Sequence, residues 1–190
     1  SKTSVFLVAF TADSAEILLQ DHDRNLGCRD FDWTLLEYYS KIFFDKNKIN
    51  PMENAKAILR LLDGIQKQRF VLSANTEANI SIECLIDDHD FAFNMQRDDF
   101  ESMTIQTVNQ MRNLFNNFAT EISSKGYKFS ALEIIGGGSR MKIVQKLISE
   151  CFNFADLSKT LNATECIARG CTIQAATLSP LFNVPPYIIK

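Results

Sequence analysis

Three consecutive glycines between an apolar run and an amphipathic segment are the sharpest chemical signal, in Glu133-Ile134-Ile135-Gly136-Gly137-Gly138-Ser139-Arg140. Glycine lets a backbone turn tightly and approach a ligand closely, and free N–H groups at the start of a following helix attract an anion. Arg140 adds a cation or a flat stacking surface for a purine. The same residues also serve as a plain strand-to-helix turn, and the glycines alone leave both readings open. The run matches neither G-x-x-x-x-G-K-S/T nor G-x-G-x-x-G, so no Walker loop or Rossmann fingerprint is claimed.

A second candidate is Leu26-Gly27-Cys28-Arg29-Asp30-Phe31-Asp32, a glycine turn whose two aspartates feed a helix, either as a ligand edge or as a capping arrangement. Asp21-His22-Asp23 and Asp87-Asp88-His89-Asp90 carry metal-ligand residue types, but no third cluster completes a site, and short acidic turns are commonly solvated. The two histidines both lie in those turns and no serine or cysteine sits in an elbow motif, which argues against Ser-His-Asp or Cys-His catalysis.

The elements that position these residues follow from periodicity. Ser4 to Phe10 and Ala15 to Gln20 read as a hairpin around Thr11-Ala12-Asp13-Ser14. Asp32 stands as an acidic cap before a helix carrying Leu35, Leu36, Tyr39, Ile42 and Phe43, and a second helix runs from about Asn54 to Leu72 with Ile58, Leu61, Leu62 and Ile65 on one face. Asn79 to Ile86 and Phe91 to Met95 alternate as a second hairpin. A long helix follows, with Ile105, Val108, Met111, Phe115, Phe118 and Ile122 at helical spacing up to Lys125-Gly126. Then come a strand at Leu132 to Ile135, the glycine loop, a helix from Met141 to Phe152 and a last helix from Thr164 to about Thr177. The tail from Ser179 to Lys190, with Pro180, Pro185 and Pro186, reads as an exit linker. This order is an α/β domain carrying an insertion, with the sheet of the main piece shared between the beginning and the end of the chain.

Composition sets the outer bounds. With 46% apolar and 11% aromatic residues the chain has material for a real core. A net charge of −3 gives no broad footprint for nucleic acid or an anionic membrane, and the longest uninterrupted apolar stretch, Val5 to Phe10, is far shorter than the roughly 20 residues of a membrane-spanning helix. Five scattered cysteines with no C-x-x-C spacing fit a reducing cytoplasm. The N-terminus lacks the basic and small-residue pattern of a secretory signal and reads as the edge of a piece of a larger protein.

Together these residues resemble the ATPase domain of the 70-kilodalton heat-shock chaperone superfamily. Gly27 to Asp32 resembles the family's G-G-x-x-F-D turn, Leu72-Ser73-Ala74-Asn75-Thr76 its L-S-x-x-T segment, Gly136 to Arg140 its G-G-x-x-R adenosine loop, and Asn162 to Gly170 its N-x-x-E-A-x-A-x-G helix start. Arg29 within R-D-F-D, the L-S-A-N tetrad at Leu72 to Asn75, and the stretch from Gly170-Cys171 through Val184 are more similar to the large, 110-kilodalton exchange-factor branch.

The resemblance implies the actin-like, ribonuclease-H-like fold, and within it lobe II: a main subdomain of residues 1–26 and 104–190 and an inserted outer subdomain of residues 27–103. It implies that ATP or ADP lays its adenosine between the insert's helix and the glycine loop, at Gln66, Arg69, Phe70, Ser73, Gly136, Gly137, Gly138, Arg140, Met141 and Thr164. Phosphates and Mg²⁺ fall mainly to lobe I, so this chain alone is expected not to hydrolyse ATP. The family places a glutamate and two basic residues where this sequence has Gln66, Arg69 and Phe70, and an aspartate where it has Thr164; Gly138 replaces a serine or threonine. Loss of the carboxylate at position 66 removes an acceptor worth about 1.5–3 kcal/mol, and weakened nucleotide binding is expected. The implied parent is a nucleotide-exchange factor and holdase acting with an ordinary heat-shock chaperone and unfolded clients. The alternatives are a cycling ATPase chaperone, or a degenerate lobe serving as a protein-interaction scaffold.

Overall fold

The computed structural model describes residues 2–183 and 187–190 and has a mixed α/β composition with small sheets. The chain divides into two compact units, one built from Leu26–Gln110 with Arg140–Ile143, the other from Lys2–Asn25, Met111–Ser139 and Val144–Lys190.

In the second of these, β1 (Thr3–Phe10) and β2 (Ser14–Asp23) form an antiparallel ribbon pinned at its turn by Thr11, whose N–H donates to the Ser14 carbonyl at 2.8 Å. Alternation aims Leu7 and Leu19, paired across the ribbon, at one face, where they pack with Phe118 and Ile122 of the long helix.

The first unit begins with α1 (Cys28–Asn47). Gly27, not Asp32, is its N-cap, and Asp30 Oδ2 accepts the Gly27 N–H at 2.7 Å, so the first aspartate of the pair reaches back from the third helical position to the cap residue. The expected cap Asp32 lies past the first turn, where its side chain is 3% exposed and turned to a distant partner. Asn50 heads a short 3-10 turn, and the Asn54 side chain then accepts from Lys56 and Ala57 N–H to start α2 (Ala55–Leu72). β3 (Glu77–Ile86) and β4 (His89–Gln96) form the second hairpin, against which α2 packs so closely that a Cβ on Gly64 would meet Ile80 Cδ1 at 2.7 Å.

Between these elements lies a polar seam. The Tyr39 hydroxyl donates to Gln68 Oε1 at 2.6 Å, and Gln68 Nε2 donates to the Ala78 carbonyl at 2.9 Å, tying α1, α2 and β3 together inside the core. Phe91 and Phe93 flank the Tyr39 ring with centroids at 5.2 and 5.3 Å.

A short α3 (Arg97–Met103), not anticipated from the sequence, leads into α4 (Ile105–Ser124). Val108, Met111, Phe115, Phe118 and Ile122 are buried as their spacing requires, while Ile105 is exposed. The strand expected at Leu132 to Ile135 contracts to β5 (Leu132–Glu133) and pairs in parallel with an unanticipated β6 (Leu157–Ser158), in a sheet separate from β1 and β2. The sheet built on β1 and β2 is shared with the chain's end, but through its last residues and not through the strand expected at Leu132 to Ile135. Between β5 and β6 lie a 3-10 turn at Gly137–Arg140 and α5 (Lys142–Phe152); α6 (Cys166–Leu178) follows. Where an exit linker is expected, the last residues form β7 (Ile188–Ile189), which pairs in parallel with Ser14 and Ala15 of β2. Val184, Pro185 and Pro186 of that expected linker lie outside the described residues.

Candidate functional site: the carboxyl end of α2

The helical face of α2 that carries Leu61, Ile65, Gln68 and Leu72 is buried, which places Arg69 and Phe70 at its edge and Gln66 in solvent. The helix closes at Ser73, whose N–H reaches the Arg69 carbonyl at 3.1 Å and whose hydroxyl donates to the Phe70 carbonyl at 2.6 Å. Arg97 secures this end: its Nε donates to the Leu72 carbonyl at 2.9 Å and its Nη2 to the carbonyl of Asn75.

Arg69 is held by Asp32. Its Nε meets Oδ1 at 2.6 Å and its Nη2 meets Oδ2 at 3.3 Å, with side chains 13% and 3% exposed. Burial works to lower the guanidinium's pKa, but the hydrogen bond and charge of Asp32 work the other way, and the net shift is upward. Beside the pair, burial pushes the Cys28 thiol up, so it is a neutral neighbour. Arg69, Ser73, Arg97, Phe100 and Met141 line a cavity of about 10 Å³, space for roughly one water.

The Phe70 ring, 57% exposed, carries the Arg140 guanidinium 5.2 Å from its centroid, a cation over an aromatic ring.

In the other unit, Gly136 takes φ 89°, the left-handed conformation that glycine adopts without steric penalty. Its N–H donates to the Ala163 carbonyl at 2.9 Å, and its own carbonyl accepts from the Ser139 N–H and hydroxyl. Gln145 Nε2 clamps the Ser139 carbonyl at 2.7 Å, and its Oε1 accepts from Lys159 Nζ. Gly137 and Gly138 have open or partly covered positions in this turn. Thr164 is exposed and occupied locally: its N–H and hydroxyl both donate to Asn162 Oδ1, part of the arrangement that starts α6.

Comparison with known proteins places this geometry in a lineage. The family described as Hsp70 protein matches residues 1–190. The chain belongs to the Hsp70 family. It is 37% identical over its whole length to heat shock protein 88 of Dictyostelium discoideum, covering 24% of that protein. It is 34% identical to heat shock 70 kDa protein 4L of Homo sapiens and 33% identical to heat shock protein 110 of Caenorhabditis elegans, covering all of this chain and 22% and 25% of theirs. The chain thus spans about a quarter of the length of these relatives. The resemblance to the 110-kilodalton branch agrees with those similarities, and Hsp70-family membership carries with it the actin-like fold.

Of the Hsp70-like site residues expected from sequence, the structure gathers Arg69, Ser73 and Met141 around one cavity and sets the Arg140 guanidinium over the Phe70 ring. Gln66 is exposed and does not line that cavity. Sequence reasoning missed Arg97 and Phe100 as lining residues and Asp32 as the partner of Arg69. Asp32 was visible in the R-D-F-D motif, but its 37-residue separation from Arg69 leaves no local signature.

Proposed function

We propose that this Hsp70-family chain binds the adenosine portion of ATP or ADP at the carboxyl end of α2. The observation that carries the reading is the Phe70–Arg140 pair, two flat surfaces of complementary charge at 5.2 Å beside the donors of Arg69 and Ser73. A purine offers a π-face to both, and its ribose offers hydroxyls to the polar rim. The small cavity means that the rim must part to admit a base, so binding is weak and costs the Phe70–Arg140 contact.

The broader account is an extension of the same proposal. The chain is lobe II of an actin-like ATPase domain, its outer insert supplying α2 and its main subdomain the glycine loop that leads into Arg140. Hydrolysis, and the Mg²⁺ that accompanies the phosphates, belong to other segments of a longer protein. That longer protein acts as a nucleotide-exchange factor and holdase with an ordinary heat-shock chaperone and unfolded clients, a role supported by the resemblance to the large branch. A cytoplasmic setting is supported by five free cysteines.

Calorimetric titration of the chain with ADP and with ATP, each with Mg²⁺, tests the reading. Binding is expected, weakened about 2- to 30-fold in Arg140→Ala by loss of the stacking cation. No heat of binding at millimolar nucleotide would favour the degenerate scaffold, for which the closed cavity and the solvent-facing Gln66 are the specific support.

A further inference from the structure

Among the described residues β3 has one strand neighbour, β4, and its other edge is open. Which backbone groups lie on that edge follows from one hydrogen bond. The Arg97 N–H donates to the Thr76 carbonyl at 2.8 Å, in the register that sets Glu77 against Gln96. Hydrogen-bonded pairs alternate along an antiparallel ladder, so Ala78, Ile80 and Ile82 turn their N–H and C=O groups to β4, while Asn79 and Ser81 turn theirs off the sheet. No partner among the described residues takes those outward groups.

α2 runs antiparallel beside β3. Gln68 meets the Ala78 carbonyl, Gly64 lies against Ile80 and Ile82, and Arg60 donates to the carbonyls of Glu83, at 2.7 Å, and Cys84. Between helix and strand lies a cleft of about 400 Å³, walled by Arg60, Asp63 and Lys67 on one side and by Ser81 to Glu83 on the other. Alternation sends the Ile80 and Ile82 side chains toward α2 and the Ser81 side chain to the opposite face, so Ser81 meets the cleft with its backbone edge. From Arg60 to Lys67 the helical wall is about 10 Å long, room for roughly three residues of extended chain.

Charge narrows the choice of occupant. Two cations and two carboxylates line the cleft, and Lys67 is already paired with Asp63 at 2.7 Å, so neither a polyanion nor a polycation gains by entering. A second copy is disfavoured too, because edge-to-edge pairing centred on Ile80 would set Glu77 of each copy opposite Glu83 of the other. What an open row of N–H and C=O groups accepts is another strand.

We propose that the cleft between α2 and the open edge of β3 binds an extended, uncharged polypeptide segment of another protein by strand addition at Asn79 and Ser81. Arg60 ends the site by occupying the Glu83 and Cys84 carbonyls, so the added strand stops there. The inference does not draw on the nucleotide reading.

The test is an NMR titration of the isotopically labelled chain with a blocked, uncharged hexapeptide of alternating valine and threonine. The Asn79 and Ser81 amide resonances are expected to shift and saturate together at a Kd of about 1 mM, the same at low and high salt. The same peptide N-methylated throughout is expected to bind about tenfold more weakly, since its donors are gone. Ser81→Pro is expected to weaken binding to a similar degree: it removes an N–H that points off the sheet, where an edge strand tolerates proline. Silence at Asn79 and Ser81 at about 10 mM peptide overturns the proposal, and so does equal binding of the N-methylated peptide. Shifts at these two amides that follow the chain's own concentration without peptide would make a second copy the occupant and overturn it as well. Should Ser81→Pro not fold, the two peptides on the unaltered chain decide the matter.

Discussion

The two compact units treat their surfaces differently. In the unit built on Leu26–Gln110, α1 and α2 close over the β3–β4 hairpin, and polar groups drawn inside pair there: Tyr39 with Gln68, Gln68 with the Ala78 carbonyl and Asp32 with Arg69, while the buried Ser40 hydroxyl has no partner. In the other unit, Leu7 and Leu19 are covered by Phe118 and Ile122, but Phe6 and Phe10 are 53% and 75% exposed, and α6 has no buried residue although it carries Ile167, Ile173 and Leu178. The first unit is held by specific pairing, so single changes inside it cost much. The second leaves Phe6, Phe10 and the apolar residues of α6 open to contact, as the first does Trp33 and Leu59, and changes at such exposed side chains cost the fold little.

The largest effect that separates the units is at the ion pair. Arg69→Met leaves the Asp32 carboxylate buried without a partner, and about 3–5 kcal/mol of stability is expected to go. Denaturant unfolding followed by fluorescence of Trp33, the single tryptophan and a residue of α1, measures it in the right unit. A loss under 1 kcal/mol would break the contrast.

Next is the polar seam. Tyr39→Phe removes the donor to Gln68 Oε1 and leaves a buried acceptor unsatisfied, at a cost of about 1–3 kcal/mol at neutral pH. Burial, opposed in part by the Gln68 hydrogen bond, raises the Tyr39 phenol's pKa in the folded state. The folded state therefore keeps its proton where the unfolded chain has lost it. The corresponding stability is fully present below the unfolded phenol value of about 10 and declines as pH rises above it, and Tyr39→Phe flattens that alkaline decline. Unfolding midpoints from pH 8 to 11 for both chains provide the check.

The smallest effect lies in the open unit. Phe10→Ser and Ile173→Ser replace exposed apolar side chains, and each is expected to change unfolding free energy by no more than about 0.5 kcal/mol. A loss of 2 kcal/mol at either position would mean that this surface is covered in solution, and sedimentation of the chain would then identify self-association as the cover.

Much of the fold was legible because it is local. The helical spacing from Val108 to Ile122 and the alternation from Ile80 to Ile82 each describe a face, and burial follows it. The two-residue strands β5 and β6 are too short to carry a period, and the tail's prolines hid a strand pairing that depends on β2, more than 170 residues away. At the site, the family resemblance implied both Phe70 and Arg140, and the structure sets the guanidinium 5.2 Å from the ring centroid. Gln68 was available from spacing, since it continues the face of Leu61 and Ile65, but a polar residue in an apolar face is informative only once its partner Tyr39 is known. Asp32 shows the ambiguity most clearly. An aspartate near a helix start has one sequence signature for two physical roles, and Asp30 took the capping role while Asp32 took the long-range pair.

The most direct test of the account is an NMR titration of the isotopically labelled chain with adenosine. The account predicts shift changes centred on Phe70, Ser73, Arg140 and Met141, saturating together at one affinity. No change at millimolar adenosine, or changes confined to α6, would contradict it.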